Sequence, residues 1–466
     1  MGLAHGNEVA VLGAFRNRSI RGTVSRLGIR RLAYFPGKRQ VTRHHQEVSA
    51  SLVDSLRCPD DLLNWNLPYG IPAWDLYDGL LKLQRRACLN IKDPLLVGRV
   101  AEYLRDLDAA EDLIAEQQPG FAVMSHTASG RTNNGALMWH LARRKIPVVV
   151  PQGGFGNLTH FKIFKFDEVF NHPNRPTIEE IDGLQPEKAT RLQDIGRAYL
   201  AARLGGATTD LSAIHAFQQG KLPISLAALC DKFNWDPTKP IIAVFASVWF
   251  DNPHTFGMTA FRDFHDWLES TINVACEFKG VNWLFKPHPA ENWYGGVKLK
   301  DMLPPLLPSH VRIADEEWSG VNLRDCLHGI VTLHGTAGVE MAAIGKPVLV
   351  ASQGWYGDVG FVVWPKTRQA YLEALTTRWW EGVDLKKASR LAQIFAGFYF
   401  CKPAGGFGIS LHDDSDQHAL FQRLRTLLVD KRQNVINEVD TMAAWMKSDS
   451  RHYHIFKMKR ADSYEI

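Results

Sequence analysis

His334-Gly335-Thr336-Ala337-Gly338-Val339-Glu340-Met341-Ala342-Ala343-Ile344-Gly345-Lys346-Pro347-Val348-Leu349-Val350 is the stretch whose reading decides the fold. An apolar run, Ile330 to Leu333, precedes it and predicts a strand ending at His334. Residues 337–344 carry helix formers, and Gly345-Lys346-Pro347 stops them before a second apolar run, 347–351. Strand, helix, strand in so few residues is the unit of a parallel sheet. Gly335 suits a close backbone approach, and Thr336 suits a helix cap. The N–H groups at Thr336, Ala337 and Gly338, at the positive end of the helix, suit a phosphate. Glu340, one turn further in, suits the hydroxyls of a ribose. The same residues also read as an ordinary strand–helix–strand with a threonine cap.

Working outward, Trp283–Lys286 reads as a strand, and Lys286-Pro287-His288-Pro289 as a proline-locked turn that holds one imidazole in a fixed direction. Such a histidine suits donation to a phosphate oxygen, or protonation of a leaving phosphate, with Lys286 adding charge. A surface turn with an incidental histidine is the plainer alternative. Strands alternate with helices over most of the chain, which predicts α/β domains with parallel sheets. At 466 residues, more than one core is expected. The divisions fall at 1–176 for an acceptor-side α/β domain, 177–238 for a helical bridge, 239–414 for a nucleotide-binding α/β domain, and 415–466 for a helical tail. Ligands of open α/β sheets lie beyond the carboxyl ends of the strands. Polar clusters fall at four such ends: Ser125-His126-Thr127 and Gln152-Gly153-Gly154 in the first domain, 251–254 and 334–336 in the second. Two clusters per domain fit one cleft between two facing sheets.

An acid–base residue is less sharply marked. His126 needs no tuning to titrate near neutral pH, whereas Asp251 does. His254 shares the loop of Asp251. Either could equally be core or turn chemistry. Asp75 and Asp78, on a predicted helix, read as surface carboxylates. No metal-ligand array is visible, no cofactor is called for, and no nucleic-acid module accompanies the net charge of +5. Six cysteines without CxxC spacing read as free thiols of a reducing cytoplasm. No signal peptide or membrane-spanning run is recognised.

In Phe264-His265-Asp266-Trp267-Leu268, Val281 to Pro289, Thr332 to Val350 and Gly354-Trp355-Tyr356-Gly357-Asp358-Val359-Gly360-Phe361, the chain resembles the bacterial capsule polysaccharide biosynthesis family, which includes capsule Kdo transferases. Ser125-His126-Thr127, Gly135-Ala136-Leu137 and Ile146-Pro147-Val148 extend the resemblance into the first domain. The resemblance implies a GT-B fold of two facing Rossmann-like domains. It implies a metal-independent glycosyltransferase with the donor in the second domain and the acceptor in the first. Lys286, His288, Pro289, His334, Gly335, Thr336, Ala337, Gly338 and Glu340 would then bind the nucleotide-sugar, of CMP type. Ser125, His126, Thr127, Gln152 and Gly153 would face a glycan or glycolipid acceptor, and His288, His126 and Asp251 are the catalytic candidates. A teichoic-acid-type CDP-polyol phosphotransferase, a non-hydrolysing sugar-nucleotide epimerase and a catalytically degenerate nucleotide- or glycan-binding subunit are the alternatives.

From Ala10 to Gln46 there are nine Arg or Lys and no acidic residue. Clustered bases are drawn to anionic leaflets by about 1 kcal/mol each, within a Debye length. Weak peripheral association is therefore expected, in flotation with anionic liposomes, and it should vanish at high salt or with neutral lipid.

Overall fold

The computed structural model describes residues 10–12, 31–33, 39–124, 135–154, 157–169, 175–206, 223–400, 440 and 444–450. The first half holds two small sheets. Strands β1 (Ala10–Leu12) and β2 (Arg31–Ala33) pair in parallel. Strands β3 (Ala122–Val123), β4 (Val148–Gly154) and β5 (Asn157–Ile163) form a second sheet, with β3 parallel and β5 antiparallel to β4. The hairpin corrects the expectation of parallel pairing alone. It also moves Gln152 and Gly153: they lie inside β4, opposite Thr159 and Leu158, not in a loop beyond it.

Helices α1 (Ala73–Gln84), α2 (Leu96–Gln117) and α3 (Gly135–Arg143) pack over these strands. Leu96, Val100, Tyr103, Leu104 and Leu107 recur at helical spacing and are buried, while Leu95 at the helix entry is exposed. Asp75 and Asp78 correct the surface reading, since both are 0% exposed. Asp75 accepts the Tyr103 hydroxyl at 2.7 Å.

The second half is built on five parallel strands: β6 (Ile241–Phe245), β7 (Asn282–Lys286), β8 (Val311–Ile313), β9 (Gly329–Thr332) and β10 (Val348–Val350), in the order β10-β9-β6-β7-β8. This is the doubly wound order, in which the chain runs outward from β6 to one side, then returns and runs to the other. β6, β7, β9 and β10 are buried along their whole length, β6 and β10 as unbroken apolar runs, while Asn282 and Lys286 stand at the two ends of β7 and Thr332 at the end of β9. β8, three residues long, is too short for periodicity to reveal. Helix α4 (Pro186–Leu204) and residues 226–233 share a core with this sheet through Leu192, Leu200, Leu229 and Cys230. The stretch read as a bridge thus packs against the second sheet's core.

α4 crosses the last described long helix, α7 (Leu385–Phe400), backbone against backbone; between them in sequence lie α5 (Phe264–Glu277) and α6 (Ala337–Ala343). Near the C-terminus, Trp445 is buried against Val149, and the Lys162 ammonium donates to its carbonyl at 2.6 Å. The tail thereby returns to the first sheet. Among the described residues no helix is long and apolar enough to cross a membrane.

The α4–α7 crossing depends on two glycines. A Cβ on Gly196 would stand 1.9 Å from the Gln393 carbonyl oxygen, and one on Gly397 2.1 Å from that of Leu192. Backbone atoms cannot rotate away as side chains do, so Gly196→Ala should exceed the usual overpacking cost of about 1–3 kcal/mol. Thermal unfolding should show a clear fall in Tm, whereas Gly98→Ala, with open space around it, should show none.

Candidate functional site

In the doubly wound order the crevice opens where strand order reverses, between β6 and β9. Three turns border it. Residues 246–258 leave β6, residues 287–290 leave β7, and residues 333–336 leave β9. β7 and β9 flank β6 on opposite sides, so His288 and His334 stand across the β6 end, roughly 10 Å apart at two strand spacings.

Glycines bring the turns together. A Cβ on Gly257 would meet the Gly354 Cα at 2.8 Å, and a Cβ on Gly354 the His334 Cβ at 2.4 Å; both have positive φ. Ser352 Oγ donates to the Gly257 carbonyl. The turn after β9 is held from behind: Trp355 Nε1 donates to the His334 carbonyl at 3.0 Å, and Tyr356 Oη to that of Gly335 at 2.7 Å. Burial, and then Glu340, push the Tyr356 phenol well up, so it remains a donor.

The structure departs from the sequence expectation at several points of this turn. β9 ends at Thr332, two residues before His334. Thr336 takes helical dihedrals and its hydroxyl makes no cap bond; the Gly338 N–H is already given to the Gly335 carbonyl at 2.9 Å. Gly338 is needed for packing, since a Cβ there would lie 2.1 Å from Tyr356 Oη. Glu340 is buried and accepts from Arg203 Nε on α4 at 2.7 Å, which occupies the carboxylate proposed for ribose. Lys346 donates to the Leu327 carbonyl, just before β9, and so sits at the amino edge of the sheet, away from the crevice.

His288 is half-buried, and its Nδ1 accepts the Ala290 N–H at 3.1 Å. With Nδ1 so engaged, the proton of the neutral ring resides on Nε2. Burial, and then the Lys286 charge, push its pKa down to about 4. At neutral pH His288 is therefore a hydrogen-bond donor without charge, which corrects its reading as a ready general acid. Lys286 itself is buried over the Phe245 ring. Pro289 is exposed at the turn.

The loop after β6 supplies a feature that periodicity does not mark. Asp78, on α1, accepts the N–H groups of His254 and Thr255 on Oδ2 at 3.0 and 2.9 Å, while its Oδ1 faces His254 Nδ1 at 2.7 Å. His254 stands beside Trp74, ring planes 21° apart and centroids 6.2 Å apart. Tyr77, the neighbour of Asp78, donates to Asp263 at the start of α5 at 2.6 Å. Asp251 lies at the rim. Burial pushes its carboxyl up, Lys82, 3.8 Å away, pulls it back, and Asp78 adds a smaller push upward. Ser125, His126 and Thr127 lie outside the described residues.

No protein-family model matches the chain, and no curated protein matches it. Among solved structures it is similar to KpsC β-Kdo 2,4 transferase of Thermosulfurimonas dismutans, at 14% identity over 53% of this chain and 76% of that one, with a TM-score of 0.35. It is similar to the spinosyn rhamnosyltransferase SpnG at 13% identity over 86% and 90%, TM-score 0.28. The calicheamicin glycosyltransferase CalG4 follows at 14% over 84% and 94%, TM-score 0.25. It is the strand order of the second sheet, rather than these superpositions, that places the crevice.

The depressed His288 sets a pH dependence. Its folded pKa, about 4, lies below the ordinary 6.5, so as pH falls the unfolded chain binds the proton first. His288 costs nothing above about pH 6.5 and subtracts stability progressively down to about pH 4. Denaturant unfolding of His288→Gln should lose less stability between pH 7.5 and 4.5 than the wild type; an equal loss would show the imidazole is not held neutral.

Proposed function

We propose that the chain is a GT-B-type glycosyltransferase that takes a sugar from a nucleotide-activated donor of CMP type and adds it to a cell-surface polysaccharide or its lipid-linked precursor. The observation that carries the reading is the β6/β9 switch point, bordered by the His334-Gly335-Thr336 turn on one side and the His288 Nε2–H on the other. A switch-point crevice of this strand order is where nucleotides bind. The motif resemblance in residues 281–289 and 332–361 points the same way and adds the sugar.

In this reading the nucleotide phosphate lies across the end of β6. His288 donates a hydrogen bond to a phosphate oxygen, and Lys286 behind it adds a positive field. As the bond between sugar and phosphate breaks, charge grows on that phosphate, and donors already aimed at it stabilise the transition state. A leaving group with a single phosphate asks for less counter-charge than a diphosphate, which favours CMP. The acceptor enters from the first half. The place of action is the cytoplasmic side of a membrane carrying the lipid-linked acceptor.

Thermal-shift titration against CMP, CDP, UDP and GDP tests this. At one hundred times Kd a ligand adds about 2.7 kcal/mol of stability, an easily measured rise in Tm. CMP is expected to give the largest rise. His288→Ala should weaken it by about tenfold, one charge-assisted hydrogen bond. Thr336→Val should leave the Tm without ligand unchanged, since the hydroxyl caps nothing, and weaken CMP if that hydroxyl meets the phosphate. No response to any nucleotide would remove the reading.

A further inference from the structure

We propose that His254, oriented by Asp78, is the base that takes the proton of the acceptor hydroxyl, so that the base is assembled from both halves of the chain. The inference rests on the transfer reading above and names the residue it lacks. Asp251 and His126, the candidates that the sequence suggests, are not needed for it.

The geometry assigns the proton. Asp78 is wholly buried, and its Oδ2 is engaged by two backbone N–H groups. A carboxylate has only acceptors to offer, so the ring nitrogen 2.7 Å from Oδ1 is the one that bears hydrogen. The neutral His254 ring therefore carries its proton on Nδ1 and a lone pair on Nε2, for which no described residue is a partner. This is the reverse of His288, where Nδ1 accepts and Nε2 donates. Two imidazoles in loops from one sheet edge are thus set in opposite tautomers, one to receive a proton and one to donate a hydrogen bond. Carboxylate and imidazole come from α1 in the first half and the β6 loop in the second, 176 residues apart. The Trp74 ring lies nearly parallel to the imidazole, with the ring centroids 6.2 Å apart.

The step balances. The acceptor O–H bond breaks and its proton passes to Nε2. The oxygen forms a bond to the anomeric carbon as the bond from that carbon to the nucleoside-phosphate oxygen breaks, leaving the electron pair on the phosphate. The imidazolium, facing Asp78, then returns its proton to solvent. Asp78 is a positioning residue: it touches only His254 and Thr255 in this scheme.

Nitrogen-15 spectra of histidine-labelled full-length protein test the assignment without any substrate. His254, identified by loss of its signals in His254→Asn, should show a protonated Nδ1 and an unprotonated Nε2 at pH 7.5. Asp78→Asn presents an amide in place of the carboxylate and should move the proton to Nε2, a change that a merely structural Asp78 would not produce. A wild-type Nε2–H signal overturns the proposal. Turnover gives the second arm, with CMP-Kdo as the probe and CMP release as the readout. His254→Asn keeps a donor near the Nδ1 position and should lower release by about 10²- to 10⁴-fold while the CMP thermal shift is kept. If CMP still binds and release is undiminished, the base assignment falls alone. If wild type binds none of CMP, CDP, UDP or GDP, the transfer reading falls and takes the assignment with it. Should His254→Asn fail to fold, His254→Gln supplies the same measurements.

Discussion

Taking the Asp78 carboxylate out of water costs several kcal/mol unless donors replace the lost solvent. Three of the donors it finds, two backbone N–H groups and an imidazole N–H, belong to His254 and Thr255, at the far side of the chain's division into halves. Removing either partner would leave a buried group unsatisfied. The first-half helix and the β6 loop are therefore bound to one arrangement, and Tyr77 against Asp263 and Arg262 against Asp60 repeat the constraint on either side. The position of His254 over the sheet edge follows from that arrangement.

The same edge shows how many side chains of the 334–350 motif are taken up by packing. Gly338 is small because Tyr356 Oη lies against it, and Tyr356 is there to hold the Gly335 carbonyl. Glu340 faces Arg203, tying α6 to α4. The motif at 334–350 thus shapes a rigid turn through its neighbours' packing, and in the proposed reading the groups left to face a ligand are backbone and a few ring nitrogens. Rigid support of this kind is what places donors within the narrow tolerance that transition-state stabilisation requires.

Tautomer, rather than residue type, separates the two histidines. Both have the same side chain and both lie in loops leaving strands of one sheet. A backbone N–H on Nδ1 makes His288 a donor at Nε2, and a carboxylate on Nδ1 makes His254 an acceptor there. Burial beside Lys286 keeps the first uncharged.

Much was legible in the sequence. Apolar runs bounded by Gly and Pro announced β6, β7, β9 and β10 and the helices between them, because strands buried on both faces are apolar through their middle and keep polar residues such as Asn282, Lys286 and Thr332 to their ends. The turns at 287–290 and 333–336 were equally visible, since short-range chemistry decides them. What periodicity could not show was which carboxylates are buried: Asp75 and Asp78 look like any polar residues on a helix, and their partners lie 28 and 176 positions away. The hairpin partner β5, the engagement of Glu340 and the missing cap at Thr336 were hidden for the same reason. Local pattern determines secondary structure and turns, because those energies are spent between near neighbours. Which polar group meets which is decided by contacts distant in sequence, and these exist only once the strands have taken their order and the two halves have met.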